Sequence, residues 1–187
     1  MSSKQLIIVL DESTSQKNEN PACELGKSLC FWVAYVYDPD NDNHPTNKKI
    51  PGEQRYETAI LMKSINAKPV RSGAIYNDVD TPIKICLDGI LRALEACKYL
   101  INKHEISELM LISDCKPALE FVQKENTPKA VAVVSLCNQL DEILKEYKTK
   151  ISNVQPKHVS KNDYLLFKDI DGIAKTFRSK IDSTFNK

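Results

Sequence analysis

Two short apolar runs in this chain, QLIIVL at residues 5–10 and ELMLIS at 108–113, each end on an aspartate, Asp11 and Asp114. β-Branched apolar runs of this length, stopped by acids and turn formers, read as strands buried on both faces. Strands of that kind need helices to cover them, so an α/β architecture follows. The ends of such strands are where open α/β sheets place ligand sites, and Asp11 and Asp114 both stand there.

The remaining elements agree with that architecture. Leu29–Tyr37 (LCFWVAYVY) is a second strand, stopped by Asp38-Pro39-Asp40, and Tyr56–Ile65 reads as a third. The polar stretch 38–53 between them is a loop insertion, and residues 66–80, with Pro69, Gly73, Asn77 and Asp78, form a connection. Thr81-Pro82 is a helix start, and Ile83, Cys86, Ile90, Ala93, Leu94, Cys97 and Ile101 recur at helical spacing to about Asn102. A short helix over Lys116–Lys124, a longer one over Ala130–Tyr147, a fifth strand at Lys150–Val154 and a last helix over Tyr164–Ile181 complete the order. The expected fold is a mixed five-stranded sheet flanked by helices on both faces, in one domain spanning residues 1–187.

Composition bounds the function. A 42% apolar and 27% charged chain is that of a folded globular protein. With a net charge of +1, attraction to a phosphate backbone must come from a local patch. Six scattered cysteines without a C-x-x-C pair read as buried thiols of a reducing compartment, and three dispersed histidines give no zinc pattern. No run approaches the ~20 apolar residues of a membrane span, so a cytoplasmic location, or a nuclear one in a eukaryote, is expected. The segment DPDNDNHPTNKK lacks the glycine and terminal glutamate of a calcium loop and reads as surface.

If the first and fourth strands are parallel neighbours, Asp11 and Asp114 meet at one rim, where oxygen ligands suit Mg²⁺ or Mn²⁺. Each aspartate taken alone also reads as an ordinary cap of the following turn. The strings around them are more specific. VLDES resembles the first-strand motif of ribonuclease H, LMLISDCKPAL its strand-Asp-Ser-x-x-Ala pattern, and DIDGIAK its terminal A-D-x-L-A motif. The resemblance covers nearly the whole chain and implies a ribonuclease H-like fold and a metal-dependent nuclease that hydrolyses the RNA strand of RNA/DNA hybrids. Asp11, Asp114 and Asp171 then correspond to three of the family's four catalytic, metal-holding carboxylates. Asp163 and Asp169 compete with Asp171, which the following Gly172-Ile173-Ala174 favours.

The chain departs from the family at the fourth acid, a glutamate early in the first helix, where counting from Thr81 places Cys86. A thiol is a poor ligand for Mg²⁺, and Cys86 sits on the apolar stripe. Glu12 is the better substitute, since type 2 ribonucleases H carry a similar adjacent Asp-Glu pair. Asp88 lies roughly 200° around the helix from Cys86 and is expected to face solvent. The resemblance further implies an accessory role for His158 in product release. Lys48, Lys49, Lys68, Arg71, Lys157 and Lys161 are candidate phosphate contacts. The basic, tryptophan-bearing extension of many type 1 enzymes is replaced by KAVAVVSLCNQLDEIL. The competing reading is a catalytically degenerate module that binds nucleic acid or a protein partner. A 3′–5′ exonuclease ranks last, because its first strand usually carries Asp-x-Glu.

Overall fold

The computed structural model describes residues 4–14, 27–38, 70–78 and 81–159, together with Gly172 and Thr176. Five strands, β1 (Gln5–Thr14), β2 (Lys27–Tyr37), β3 (Arg71–Asp78), β4 (Glu108–Ser113) and β5 (Asn153–His158), form one mixed sheet in the order β3-β2-β1-β4-β5. β1 pairs antiparallel with β2 from Gln5↔Tyr37 to Thr14↔Ser28, and β2 pairs antiparallel with β3. On its other side β1 runs parallel to β4 from Gln5↔Glu108 to Leu10↔Ser113, and β4 runs parallel to β5. The two acid-terminated runs are therefore parallel neighbours at the sheet centre.

Burial on both faces explains why β1 carries no polar alternation. Leu6, Ile8 and Leu10 join Cys30, Trp32, Ala34, Leu109 and Leu111 on the helix-facing side. Ile7 and Val9 join Val33, Tyr35, Ile112 and Val159 on the other. Each such aliphatic side chain contributes roughly 1.5–3 kcal/mol on burial.

Three helices are described: α1 (Pro82–His104), α2 (Lys116–Gln123) and α3 (Val131–Lys148). All three contribute to the core on the same side of the sheet, α1 packing on the strands and α3 on α1. α1 starts as its sequence dictates: the Thr81 hydroxyl accepts the Lys84 amide at 3.3 Å, and Pro82 follows. It ends at Glu105, a left-handed residue (φ 55°) whose N–H reaches the Ile101 carbonyl. α1 lies so close to β2 that a Cβ on Gly89 would fall 2.3 Å from Cys30 Sγ. α3 is fastened to α1 by Leu140, Ile143 and Leu144 and by the buried Tyr147 hydroxyl, which donates to the Leu94 carbonyl at 2.7 Å.

Two strands differ from their sequence reading. The third strand of the described sheet is Arg71–Asp78, inside the stretch read as a connection, and the run Tyr56–Ile65 lies outside the described residues. Gly73 looked like a turn former, yet it sits in an edge strand because the Trp32 ring occupies the place of its side chain: a Cβ there would meet Trp32 Cζ2 at 2.5 Å. The fifth strand begins at Asn153, not Lys150, and includes Pro156, which an edge strand tolerates. The insertion at 38–53 and the last predicted helix, apart from Gly172 and Thr176, also lie outside the described residues. No helix among the described residues is long and apolar enough to cross a membrane.

Candidate metal centre

β1 outruns its parallel partner. Its pairing with β4 stops at Leu10↔Ser113, while its pairing with β2 continues through Asp11↔Phe31 and Glu12↔Cys30. Beyond Leu10, β1 is thus flanked by a strand on one side only, and the chain of β4 turns away at Asp114 toward α2. Strand alternation puts Asp11 in line with Ile7 and Val9, and Glu12 in line with Leu6, Ile8 and Leu10 on the helix-facing side. At a rim left open by β4, side chains from opposite faces can reach around the strand into one space. A carboxylate oxygen from each of Asp11, Glu12 and Asp114 indeed lies within 4.8 Å of the others. Adjacent strand residues ordinarily diverge to opposite faces, and here the early exit of β4 leaves room for Asp11 and Glu12 to share one space.

These acids are partly withdrawn from water, Asp11 wholly and Glu12 and Asp114 in part. Asp11 is fully buried, and Glu12 Oε2 is buried with no hydrogen-bond partner. Burial first, then the neighbouring charges of Asp114, Cys115 and Asp11, push the Glu12 carboxyl up to about 9. Three acids converging in a partly buried space repel one another unless a proton or a cation joins them. That crowding, with oxygen donors from two strand ends, fits a hard divalent cation.

Cys86 occupies the floor on the helix side. It is fully buried in the main core, and its Sγ lies 3.5 Å from Ser113 Oγ. The Ser113 hydroxyl in turn accepts the Cys115 amide at 3.1 Å. Interaction with Cys115, with burial next, raises the Cys86 thiol, while the same interaction lowers Cys115. One oxygen of Glu12 and both sulfurs lie within 4.8 Å of one another. Cys115 was missed in the sequence, where it counted as one of six buried thiols. Its signal was its position directly after Asp114, in a turn already assigned to the rim.

His158 ends β5, paired with Ser113, and its Nε2 lies 3.2 Å from the Asp114 carbonyl oxygen. It stands at the rim on a strand end, not in a loop. Lys157 is one residue back, opposite Ile112. Arg71 is elsewhere: Asp11 aligns through Phe31 with Ala74, three residues along β3, or ~10 Å of strand. Its guanidinium lies over the Tyr99 ring, 5.7 Å from the centroid. Asp88 is not fully turned to solvent; its side chain is 17% exposed and pairs with Arg92 at 3.4 Å. Asp163, Asp169, Asp171, Lys48, Lys49, Lys68 and Lys161 lie outside the described residues. Gly172, next to Asp171 in sequence, is helical and exposed, and its carbonyl accepts the Thr176 hydroxyl at 2.8 Å.

The fold and the rim define an α/β domain with an acidic cluster at the end of two parallel central strands. Comparison with solved structures identifies that fold as ribonuclease H-like. RNase H1 from the archaeon Halobacterium salinarum superposes with a TM-score of 0.55 at 13% identity, over 91% of this chain and 95% of that one. The N-terminal RNase H domain of a Mycobacterium tuberculosis protein gives 0.61 at 14% identity, over 97% and 99%. LC11-RNase H1, from compost, solved in complex with an RNA/DNA hybrid, gives 0.57 at 13% identity, over 88% and 92%. No family model matches the sequence, and no curated protein matches it.

Proposed function

We propose that this chain is a divalent-metal-dependent nuclease of the ribonuclease H type that cuts the RNA strand of an RNA/DNA hybrid. The observation that carries this reading is the convergence of Asp11, Glu12 and Asp114 within 4.8 Å at the rim of the central parallel pair. The hybrid bound to LC11-RNase H1, which shares the fold, supports the substrate class.

Asp11, Glu12 and Asp114 would hold Mg²⁺ or Mn²⁺, with Asp171 as the further carboxylate of the last predicted helix. Such a cation supplies Lewis acidity toward a scissile phosphate and makes a water more acidic. The protein's part is to gather the acids in a partly buried space, where charge acts more strongly than in open water. Glu12 supplies the carboxylate that helix position 86 lacks, approaching from the strand beside Cys86. His158, anchored at the Asp114 carbonyl, is placed to serve the same rim, and Lys157, Lys161 and Arg71 are proposed contacts to backbone phosphates.

The test is cleavage of a hybrid labelled on its RNA strand, with Mg²⁺ or Mn²⁺ and after chelation. Cleavage should require the ion and disappear in Asp114→Asn. Equal background cleavage by wild type and variant overturns the reading. It would leave the alternative, a non-catalytic module binding nucleic acid or a protein partner, which one observation favours: position 86 carries a buried thiol.

A further inference from the structure

On the helix-facing side of the rim, potential ligands from three separate elements meet. Glu12 comes from β1, Cys86 from the second turn of α1, and Cys115 from the residue that caps α2. A carboxylate oxygen and the two Sγ atoms lie within 4.8 Å of one another, close enough to be drawn onto one ion with small side-chain movements. This donor set differs in kind from the all-oxygen cluster beside it. Two sulfurs and one oxygen suit Zn²⁺, Co²⁺ or Cd²⁺ and are disfavoured by Mg²⁺.

Two buried thiols often do no more than fill a core. Three observations separate these from filler. Their Sγ atoms lie within 4.8 Å of each other and of a Glu12 oxygen, so both sulfurs border a common space and not merely aliphatic neighbours. Ser113 holds them from behind, with its hydroxyl 3.5 Å from Cys86 Sγ and accepting the Cys115 amide at 3.1 Å, as an outer-shell group orients metal ligands. The third corner is Glu12, whose Oε2 is buried without a hydrogen bond. Cys30, opposite Glu12 on β2, packs against Gly89 and is not one of the three converging ligands.

We infer that Glu12, Cys86 and Cys115 form a binding site for a thiophilic divalent cation of the zinc class, with its fourth tetrahedral position open to water. On binding, each thiol gives its proton to solvent and coordinates as thiolate, so two thiolates and one carboxylate face a doubly charged ion. Glu12 belongs to both clusters, so an ion held by the sulfurs draws it from the two aspartates. The effect of that withdrawal on cleavage rests on the nuclease reading; the site itself does not.

The reduced full-length chain, titrated with Cd²⁺, should develop thiolate-to-metal charge-transfer absorption that saturates at one equivalent and survives excess Mg²⁺. X-ray absorption of the zinc-loaded wild type should count two sulfur ligands among four. Cys115→Ser and Cys86→Ala should each weaken binding by more than about tenfold, while Cys137→Ser, on α3, leaves it unchanged. Absence of the band, a metal shell with four sulfurs or none, or a band that persists in the Cys86→Ala/Cys115→Ser double variant overturns the site. Should Cys86→Ala fail to fold, the sulfur count on the wild type decides alone. None of these readouts depends on nuclease activity, so failure of the site and failure of the activity are separable.

Discussion

The carboxylate of Glu12 and the thiol of Cys86 lie within 4.8 Å of each other, although one comes from the central strand and the other from the helix laid across it. A buried thiol on the helix, at the position where the resemblance leads one to expect an acid, thus faces the strand carboxylate across one small space.

That relationship makes a swap testable. Glu12→Gln should reduce metal-dependent hybrid cleavage by about a hundredfold or more, equivalent to ~2.7 kcal/mol of transition-state stabilisation. Adding Cys86→Glu should recover part of the loss, because the carboxylate re-enters from the helix side. Cys86→Glu alone should destabilise the metal-free protein, since a further buried acid joins the three already there. Initial cleavage rates, with circular dichroism to check folding, read all three outcomes.

Stability should depend on pH through Glu12. Its carboxyl is raised from 4.5 to about 9 in the folded chain, so between these values the folded state binds more protons than the unfolded one. Stability is then full below the unfolded value and declines as pH rises toward the folded one. In metal-free buffer, wild type should lose several degrees of Tm between about pH 6 and about pH 8.5 relative to Glu12→Gln, at about 2–4 °C per kcal/mol. Thermal melts of the two proteins across that range measure the difference, and equal slopes would show that Glu12 is not held protonated.

Gly89→Ala should destabilise the domain by about 2 kcal/mol or more, since the new methyl would lie 2.3 Å from Cys30 Sγ. Combining it with Cys30→Ala removes that sulfur and should return much of the loss. A double-mutant cycle in urea reads the coupling, which additive costs would refute.

Tyr147→Phe removes the 2.7 Å hydrogen bond to the Leu94 carbonyl and keeps the ring in place. It should cost about 1 kcal/mol. Metal binding should be unaffected, because α3 sits on the outer side of α1. A denaturant midpoint shift without a change in metal titration is the expected pair of results.

The central strands were legible because burial on both faces writes itself as an uninterrupted apolar run, and Asp11 and Asp114 were legible because each ends such a run. α1 announced itself through Thr81-Pro82 and a regular stripe. The edge strands were less readable. β3 exposes Arg71, Ser72 and Ala74, so burial imposes no apolar pattern on it, and its Gly73 serves the Trp32 ring and not a turn. Glu12 was named in the sequence, yet whether it reaches the rim depends on where β4 stops relative to β1, a matter of register that local sequence does not encode. Cys115 became visible only when α1 brought Cys86 beside it.

The parallel pairing of β1 with β4 has a consequence for the order of assembly. Gln5 and Glu108, joined by a 2.6 Å side-chain hydrogen bond, are separated by 103 positions. At roughly 5–20 residues per second, a ribosome needs about 5–20 s to deliver the second strand after the first. Throughout that interval β1 can pair with β2 but presents an uncovered apolar edge from Gln5 to Leu10, and half of the acidic rim has yet to be made. Nascent chains cut short before Glu108 therefore carry an adhesive strand edge without a site, open to pairing with other chains.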